Sequence, residues 1–103
     1  MWYLVYAVVP SGHAGEVIEA AEAAGSQGGT VIHGKGIGRR PKRFLNFEVE
    51  PMREIVMVIV EEAKYKAVSQ SIYSKLDMDK EGMGIVFAEP LDQVAGLVGQ
   101  IDE

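Results

Sequence analysis

The chain has 103 residues, the size of one domain, and we expect a single domain over residues 1–103. Its net charge of −5 argues against general nucleic-acid binding, for which a basic surface is expected. The absence of cysteine excludes disulfides, thiolate nucleophiles and cysteine-ligated zinc, and it fits a cytoplasmic protein. No apolar run approaches the roughly 20 residues of a membrane-spanning helix, so we expect no membrane insertion.

The first third of the chain predicts a strand, a helix and a second strand. Residues 2–9 are β-branched, aromatic and otherwise apolar, which predicts a strand. Ser11 is a good N-cap and apolar residues follow it at helical spacing, so we predict a helix over residues 12–24. Gly25 is the expected C-terminal stop of that helix. Residues 30–37 predict a strand that runs into a glycine-rich loop.

The remaining elements follow from the same patterns. Apolar and polar residues alternate over residues 45–50, which predicts a half-buried strand. Residues 54–60 form the most aliphatic segment and the strongest predicted strand. A helix over residues 61–75 and a short final strand over residues 84–88 come next, and a tail with near-helical apolar spacing occupies residues 90–99.

This order of elements predicts an α+β fold of the ferredoxin-like βαββαβ type. Such a fold has a four-stranded antiparallel sheet with two helices on one face. The first strand and the strand over residues 54–60 are apolar on both faces, whereas the helices cover only one. Burial of one large apolar side chain contributes about 1.5–3 kcal/mol. We therefore predict an oligomer in which the open sheet faces are covered.

A basic, glycine-rich segment follows the second predicted strand. Five of the ten Lys and Arg residues lie between Lys35 and Arg43, with no acidic residue among them. Glycines let backbone N–H groups converge on an anion, and arginines add planar, bidentate donors. A site for a small anionic ligand or a partner is one interpretation, and a solvated loop is the other. The candidate residues are Gly36, Ile37, Gly38, Arg39 and Arg40.

A second glycine pair, Gly82-Met83-Gly84, precedes the last predicted strand. Two loops that are distant in sequence can meet at one site across a subunit boundary. An ordinary turn is the alternative interpretation of this pair.

No catalytic or metal site is predicted. His13 and His33 lack the spacing of metal ligands and are interpreted as surface or packing residues. The serines of the second predicted helix have no nearby base in sequence, so a nucleophilic site has no support. These serines are Ser69, Ser71 and Ser74.

Taken together, these features resemble the P-II nitrogen-regulatory signalling proteins over nearly the whole chain. The matching segments include Gly28-Gly29-Thr30-Val31, Gly36-Ile37-Gly38-Arg39, and Gly82-Met83-Gly84 before Ile85-Val86-Phe87. The resemblance implies a homotrimer of ferredoxin-like subunits that binds an adenine nucleotide (ATP, ADP or AMP) in clefts between subunits. It also implies that a long loop relays the bound state to a protein partner.

The resemblance assigns positions to the candidate residues. Thr30 would lie near the adenine, and the segment Gly36–Arg39 would line the cleft at the base of the long loop. The segment Gly82–Gly84 would supply the phosphate-facing loop from the neighbouring subunit.

Three departures from the family pattern concern the same site. The loop over residues 39–45 is short and has no tyrosine to modify, Ile85 replaces a basic residue, and residues 94–100 are uncharged where arginines are expected. Arg40, Lys42 and Arg43 are the candidates to replace the missing charge.

The sequence thus predicts a P-II-like sensor for an adenine nucleotide or a smaller anion, and not an enzyme. A trimeric scaffold or interaction protein without a ligand is one alternative. A metal-tolerance protein of the similarly folded CutA type is another.

Overall fold

The computed structural model describes residues 1–35, 42–44, 47–49 and 52–96. Four strands form one antiparallel sheet in the order β2-β5-β1-β6, and β3 and β4 form a separate two-stranded sheet. This arrangement confirms the predicted α+β, ferredoxin-like fold. The elements in chain order are β1 (Trp2–Pro10), α1 (Ala14–Ala23), β2 (Thr30–Lys35), β3 (Lys42–Phe44), β4 (Phe47–Val49), β5 (Met52–Glu61), α2 (Tyr65–Lys75) and β6 (Ile85–Leu91).

The hydrophobic core lies between the two helices and one face of the four-stranded sheet. Successive residues of a strand point to opposite faces, so every second residue of the central strands enters this core. Both β1 and β5 follow this alternation, and both helices contribute a buried stripe. The fully buried larger side chains are Val5, Val9, Val17, Val56, Val58, Val68, Ile72 and Leu76.

The opposite face of the sheet is apolar and open. Its side chains are the alternate residues of the same strands, and several remain well exposed, among them Ile32, Ile59, Ile85 at 59% and Phe87 at 46%. Tyr6 stacks on Phe87 with ring centroids 4.7 Å apart, and its hydroxyl donates a 2.6 Å hydrogen bond to Glu89. The strands that the sequence predicted to be apolar on both faces therefore leave one large sheet face that no described residue of a single copy covers.

Helix α1 begins later than predicted, and its N-cap is not Ser11. The N-cap position is His13, whose side chain makes no capping hydrogen bond. The carboxylate of Glu54, on β5, instead accepts the backbone N–H groups of Gly12 and Ala14 at 2.9 and 3.0 Å. The prediction of the other end is confirmed, because Gly25 follows the last turn with a φ of +110°.

The end of strand β5 and the start of helix α2 both lie later in the chain than predicted. Pairing with β1 continues to Glu61, beyond the aliphatic residues, so β5 runs over Met52–Glu61. A turn then separates it from α2, in which the N–H of Lys64 donates to the carbonyl of Glu61 at 2.9 Å. The helix accordingly begins at Tyr65 and not at residue 61.

The last strand is longer than predicted. The near-helical spacing of the tail does not form a helix in the described part of the chain. β6 pairs with β1 as far as Leu91, because an edge strand tolerates the missing N–H of Pro90. Residues 92–96 form no helix, and the rest of the predicted tail lies outside the described residues.

The predicted strand over residues 45–50 is present as the short strand β4. It pairs with β3, a strand that the sequence pattern did not predict, and not with the main sheet. The backbone of the described residues contains no helix long and apolar enough to cross a membrane.

Candidate ligand site

The second glycine pair forms a turn that packs directly on β1. Gly82 and Gly84 both have positive φ, at +85° and +113°, a region that residues with a side chain rarely adopt. A Cβ on Gly84 would collide with the carbonyl oxygen of Val8, whereas a Cβ on Gly82 would meet nothing within 4 Å. Close packing therefore requires glycine at residue 84, and only the backbone conformation favours it at residue 82.

A cation that the sequence analysis missed lies at this loop. Arg53, on β5, donates a hydrogen bond from Nη1 to the carbonyl of Gly82 at 3.1 Å. Its position alternates with the buried Glu54, so its side chain belongs to the open face of the sheet. The alternation of residues along β5 was the sequence signal that could have assigned Arg53 to this face. Its guanidinium places a positive charge beside the loop, where Ile85 has replaced the basic residue of the family pattern.

Thr30 lines a groove at the β2 edge of the sheet, opposite the β6 edge at which the Gly82–Gly84 loop lies. It is the first residue of β2 and pairs with Met57 on β5. The groove has a volume of about 430 Å³, within the usual range of small-molecule sites, and Glu61 and Lys64 contribute charged groups to its lining. It is lined by Gly25, Ser26, Gln27, Gly28, Gly29, Thr30, Met57, Ile59, Val60, Glu61, Lys64 and Gly96.

Gly29 keeps this groove close to the sheet. A Cβ at this position would lie 3.0 Å from the carbonyl oxygen of Met57 and 3.1 Å from a methyl carbon of Val58. Both contacts are tighter than real Cβ atoms ordinarily make. The loop before β2 can therefore approach β5 this closely only because it carries no side chain there.

The two described parts of the predicted site lie on different strands of one copy. Thr30 begins β2 at one edge of the sheet, and Gly84 precedes β6 at the opposite edge. Three strand spacings separate those edges, about 14 Å. The basic segment between them, residues Gly36, Ile37, Gly38, Arg39 and Arg40, lies outside the described residues. One copy thus presents the two halves apart, at opposite edges of its sheet.

A comparison with known protein families gave a match over nearly the whole chain. The profile of nitrogen regulatory protein P-II matches residues 2–98, nearly the whole chain. The chain belongs to the P-II family. A search of curated proteins gave no significant match. Membership supports a P-II-like regulatory signalling protein. Proteins of this family are regulators, which fits the predicted regulatory role.

Glu54 is a buried charged group among the residues that the structure describes. Only 8% of it is exposed, although it is a carboxylate on a core strand. The hydrogen bond from the N–H of Ala14 is the main cause that lowers the pKa of this carboxyl; the N–H of Gly12 and nearby His33 lower it further, against the effect of burial. The sequence signal for this buried carboxylate was an acidic residue at the same alternate positions of the strand as Val56 and Val58.

The two histidines lie beside carboxylates, and two serines of α2 donate hydrogen bonds to backbone carbonyls. His13 Nδ1 lies 2.7 Å from Glu16, and His33 Nδ1 lies 3.4 Å from Glu54. The hydroxyls of Ser69 and Ser71 donate to backbone carbonyls at 2.8 and 2.7 Å. Within the described ranges, no three His, Asp or Glu residues are grouped so as to hold a metal ion.

Proposed function

We propose that this P-II protein is a trimeric sensor that binds an adenine nucleotide, or a smaller anion, between its subunits and signals to a protein partner. Family membership supports the regulatory role. The observation that carries the proposal is the separation of the two site halves at opposite edges of one sheet. A second copy is what can bring one half against the other.

The open sheet face supports the oligomer. Ile85 and Phe87 stand on it with about half of their surface exposed, together with partly buried residues of β1 and β5. Contact between such faces removes this apolar surface from water, at about 25 cal/mol per Å². The trimer is a prediction of the family resemblance, the cytoplasmic location is a prediction from the absence of cysteine, and the single domain over residues 1–103 is a prediction from length.

The ligand is assigned to the two halves by their chemistry. The groove at Thr30 has room for a base, and its walls combine glycine backbone with the side chains of Met57 and Ile59. The Gly82–Gly84 loop, with the Arg53 guanidinium beside it, offers charge to phosphates or to a carboxylate. Arg39 and Arg40 would complete the positive surface from the loop that follows β2.

Isothermal titration calorimetry with ATP, ADP and AMP tests this assignment. We expect wild-type protein to bind at least one of them, and Arg53→Ala and Arg39→Ala to weaken binding at least about tenfold, the loss of roughly one charge-assisted hydrogen bond. Lys75→Ala, at the exposed end of α2, is the matched control and should bind as wild type does.

Two outcomes would redirect the proposal. Absence of heat with every nucleotide and with small carboxylates would overturn the sensor function. Co-purification of one partner with ligand-free protein would then favour the trimeric scaffold, for which Ile85 in place of a basic residue is the supporting observation. Titration with divalent metal ions addresses the CutA-type alternative, which a specific response would favour.

A further inference from the structure

Glu54 joins three elements at one end of the sheet. It lies on β5, pairs in register with His33 on β2, and accepts hydrogen bonds from the N–H of Ala14, the first residue of α1, and of Gly12 just before the helix. One carboxylate oxygen, Oε1, takes both backbone donors, Gly12 and Ala14, while the other, Oε2, lies 3.4 Å from His33 Nδ1. The two halves of a single carboxylate therefore face two different elements.

We propose that Glu54 and His33 form a proton-responsive clamp, in which the charge of His33 is transmitted through the Glu54 carboxylate to the first turn of α1. Histidine is the side chain that ordinarily changes its charge between pH 5 and 8. A protonated imidazole 3.4 Å from Oε2 forms an ion pair with the carboxylate and so draws its negative charge toward Oε2. The bonds from Oε1 to Gly12 and Ala14 then weaken.

Access and position make His33 suited to this role. Its side chain is 68% exposed, so protons reach it freely, whereas its partner Glu54 is buried and fixed by two backbone donors. His33 also lies only three residues before Gly36, where the predicted ligand loop begins. The clamp thus makes the end of β2 and the start of α1 respond to pH together.

Among the described residues, two further charged groups lie near the clamp. From α1, His13 faces Glu16 at 2.7 Å and is a second titratable imidazole close to the same turn. From β5, Arg53 projects to the opposite face and bonds Gly82. His13 is therefore the competing source of any pH response in α1, and it supplies the matched control.

Nuclear magnetic resonance of the ligand-free protein tests the clamp. Between pH 5 and 8 the amide resonances of Gly12 and Ala14 should shift with the same midpoint as the His33 imidazole resonances. His33→Gln should abolish that shift, and His13→Gln should leave it in place. Glu54→Gln keeps an acceptor for α1, so it should separate the two events: His33 still titrates, but the amides no longer follow.

Three results would overturn the clamp. These are amides that do not move in the wild type, a shift that survives in His33→Gln, or a midpoint that follows His13 instead. If Glu54→Gln fails to fold, the two histidine variants still decide between these outcomes. No nucleotide enters the experiment, so its failure would leave the proposed sensor function untouched.

Discussion

At the scale of single residues, two glycines of one family motif are required for different physical reasons. Gly82 and Gly84 both have positive φ, yet only Gly84 lies against backbone, at the carbonyl of Val8. Gly82 contributes its carbonyl to Arg53 instead. A motif read as a ligand loop therefore also contains a packing requirement, and the two can be separated by substitution.

Alanine substitution measures this difference. Gly82→Ala should lower the free energy of unfolding by about 1–2 kcal/mol, the cost of positive φ for a residue with a side chain. Gly84→Ala adds a collision with backbone and should cost roughly 3 kcal/mol or more. Urea denaturation at one fixed protein concentration measures both. Equal losses for the two variants would contradict the packing argument.

At the scale of elements, the start of α1 depends on a residue of another element. Ser11 has the chemistry of an N-cap, but Gly12 and Ala14 donate to Glu54, which is 40 residues away from Ala14 along the chain. Negative charge at a helix N-terminus is stabilising, because the first N–H groups and the helix dipole face it. Helix α1 is therefore anchored to β5 by a charged group.

The pKa of Glu54 makes this anchoring depend on acid. Because the pKa of Glu54 is lowered in the folded state, its stabilising effect is complete above the pKa of the unfolded carboxyl and is lost as pH falls through the folded value. Glu54→Gln should therefore have a lower free energy of unfolding than wild type at pH 7. This difference should shrink as the pH falls below about 4.3, the ordinary pKa of a glutamate, toward the lower pKa of the folded state.

Unfolding by urea at neutral and acid pH gives the comparison. Glu22→Gln, an exposed glutamate of α1, is the matched control and should change the free energy of unfolding far less at neutral pH. A Glu54→Gln difference that stays constant with pH would contradict the lowered pKa.

At the scale of the whole molecule, we expect the open sheet face to determine the state of association. A single copy of 103 residues buries a modest fraction of its chain, and this apolar face adds surface that water solvates poorly. The Tyr6–Glu89 hydrogen bond lies on the same face and provides its polar atoms with a partner. Association of such faces is thus compatible with the polar groups that they carry.

Light scattering at micromolar concentration tests the association. Wild type should be an oligomer, and Phe87→Asp should dissociate it, because the substitution places a charge in the middle of the apolar face. Ser74→Asp adds the same charge on the exposed side of α2 and should leave the oligomer intact. A wild-type monomer would contradict the association, and equal dissociation by both variants would locate the contact elsewhere.

Much of the fold was predictable because its signals are local. Runs of β-branched, aromatic and aliphatic residues predict β1 and β5, helical spacing predicts α1, and Gly25 ends that helix, all through properties of the residues themselves. The glycine segments and Thr30 indicated the family for the same reason, since backbone freedom and side-chain type are properties of single positions.

What the tertiary structure alone decided concerns residues that are distant in sequence. The cap of α1 is Glu54 and not Ser11, the cation beside Gly82 is Arg53, and β4 pairs with β3 instead of the main sheet. Each depends on strand pairing and on which face a side chain takes, and pairing partners are not encoded in the spacing of one segment. The amino-acid sequence by itself determined the elements of the main sheet, the two helices, the family and the open apolar face, whereas β3 and the arrangement of charges around the site followed only from the folded structure.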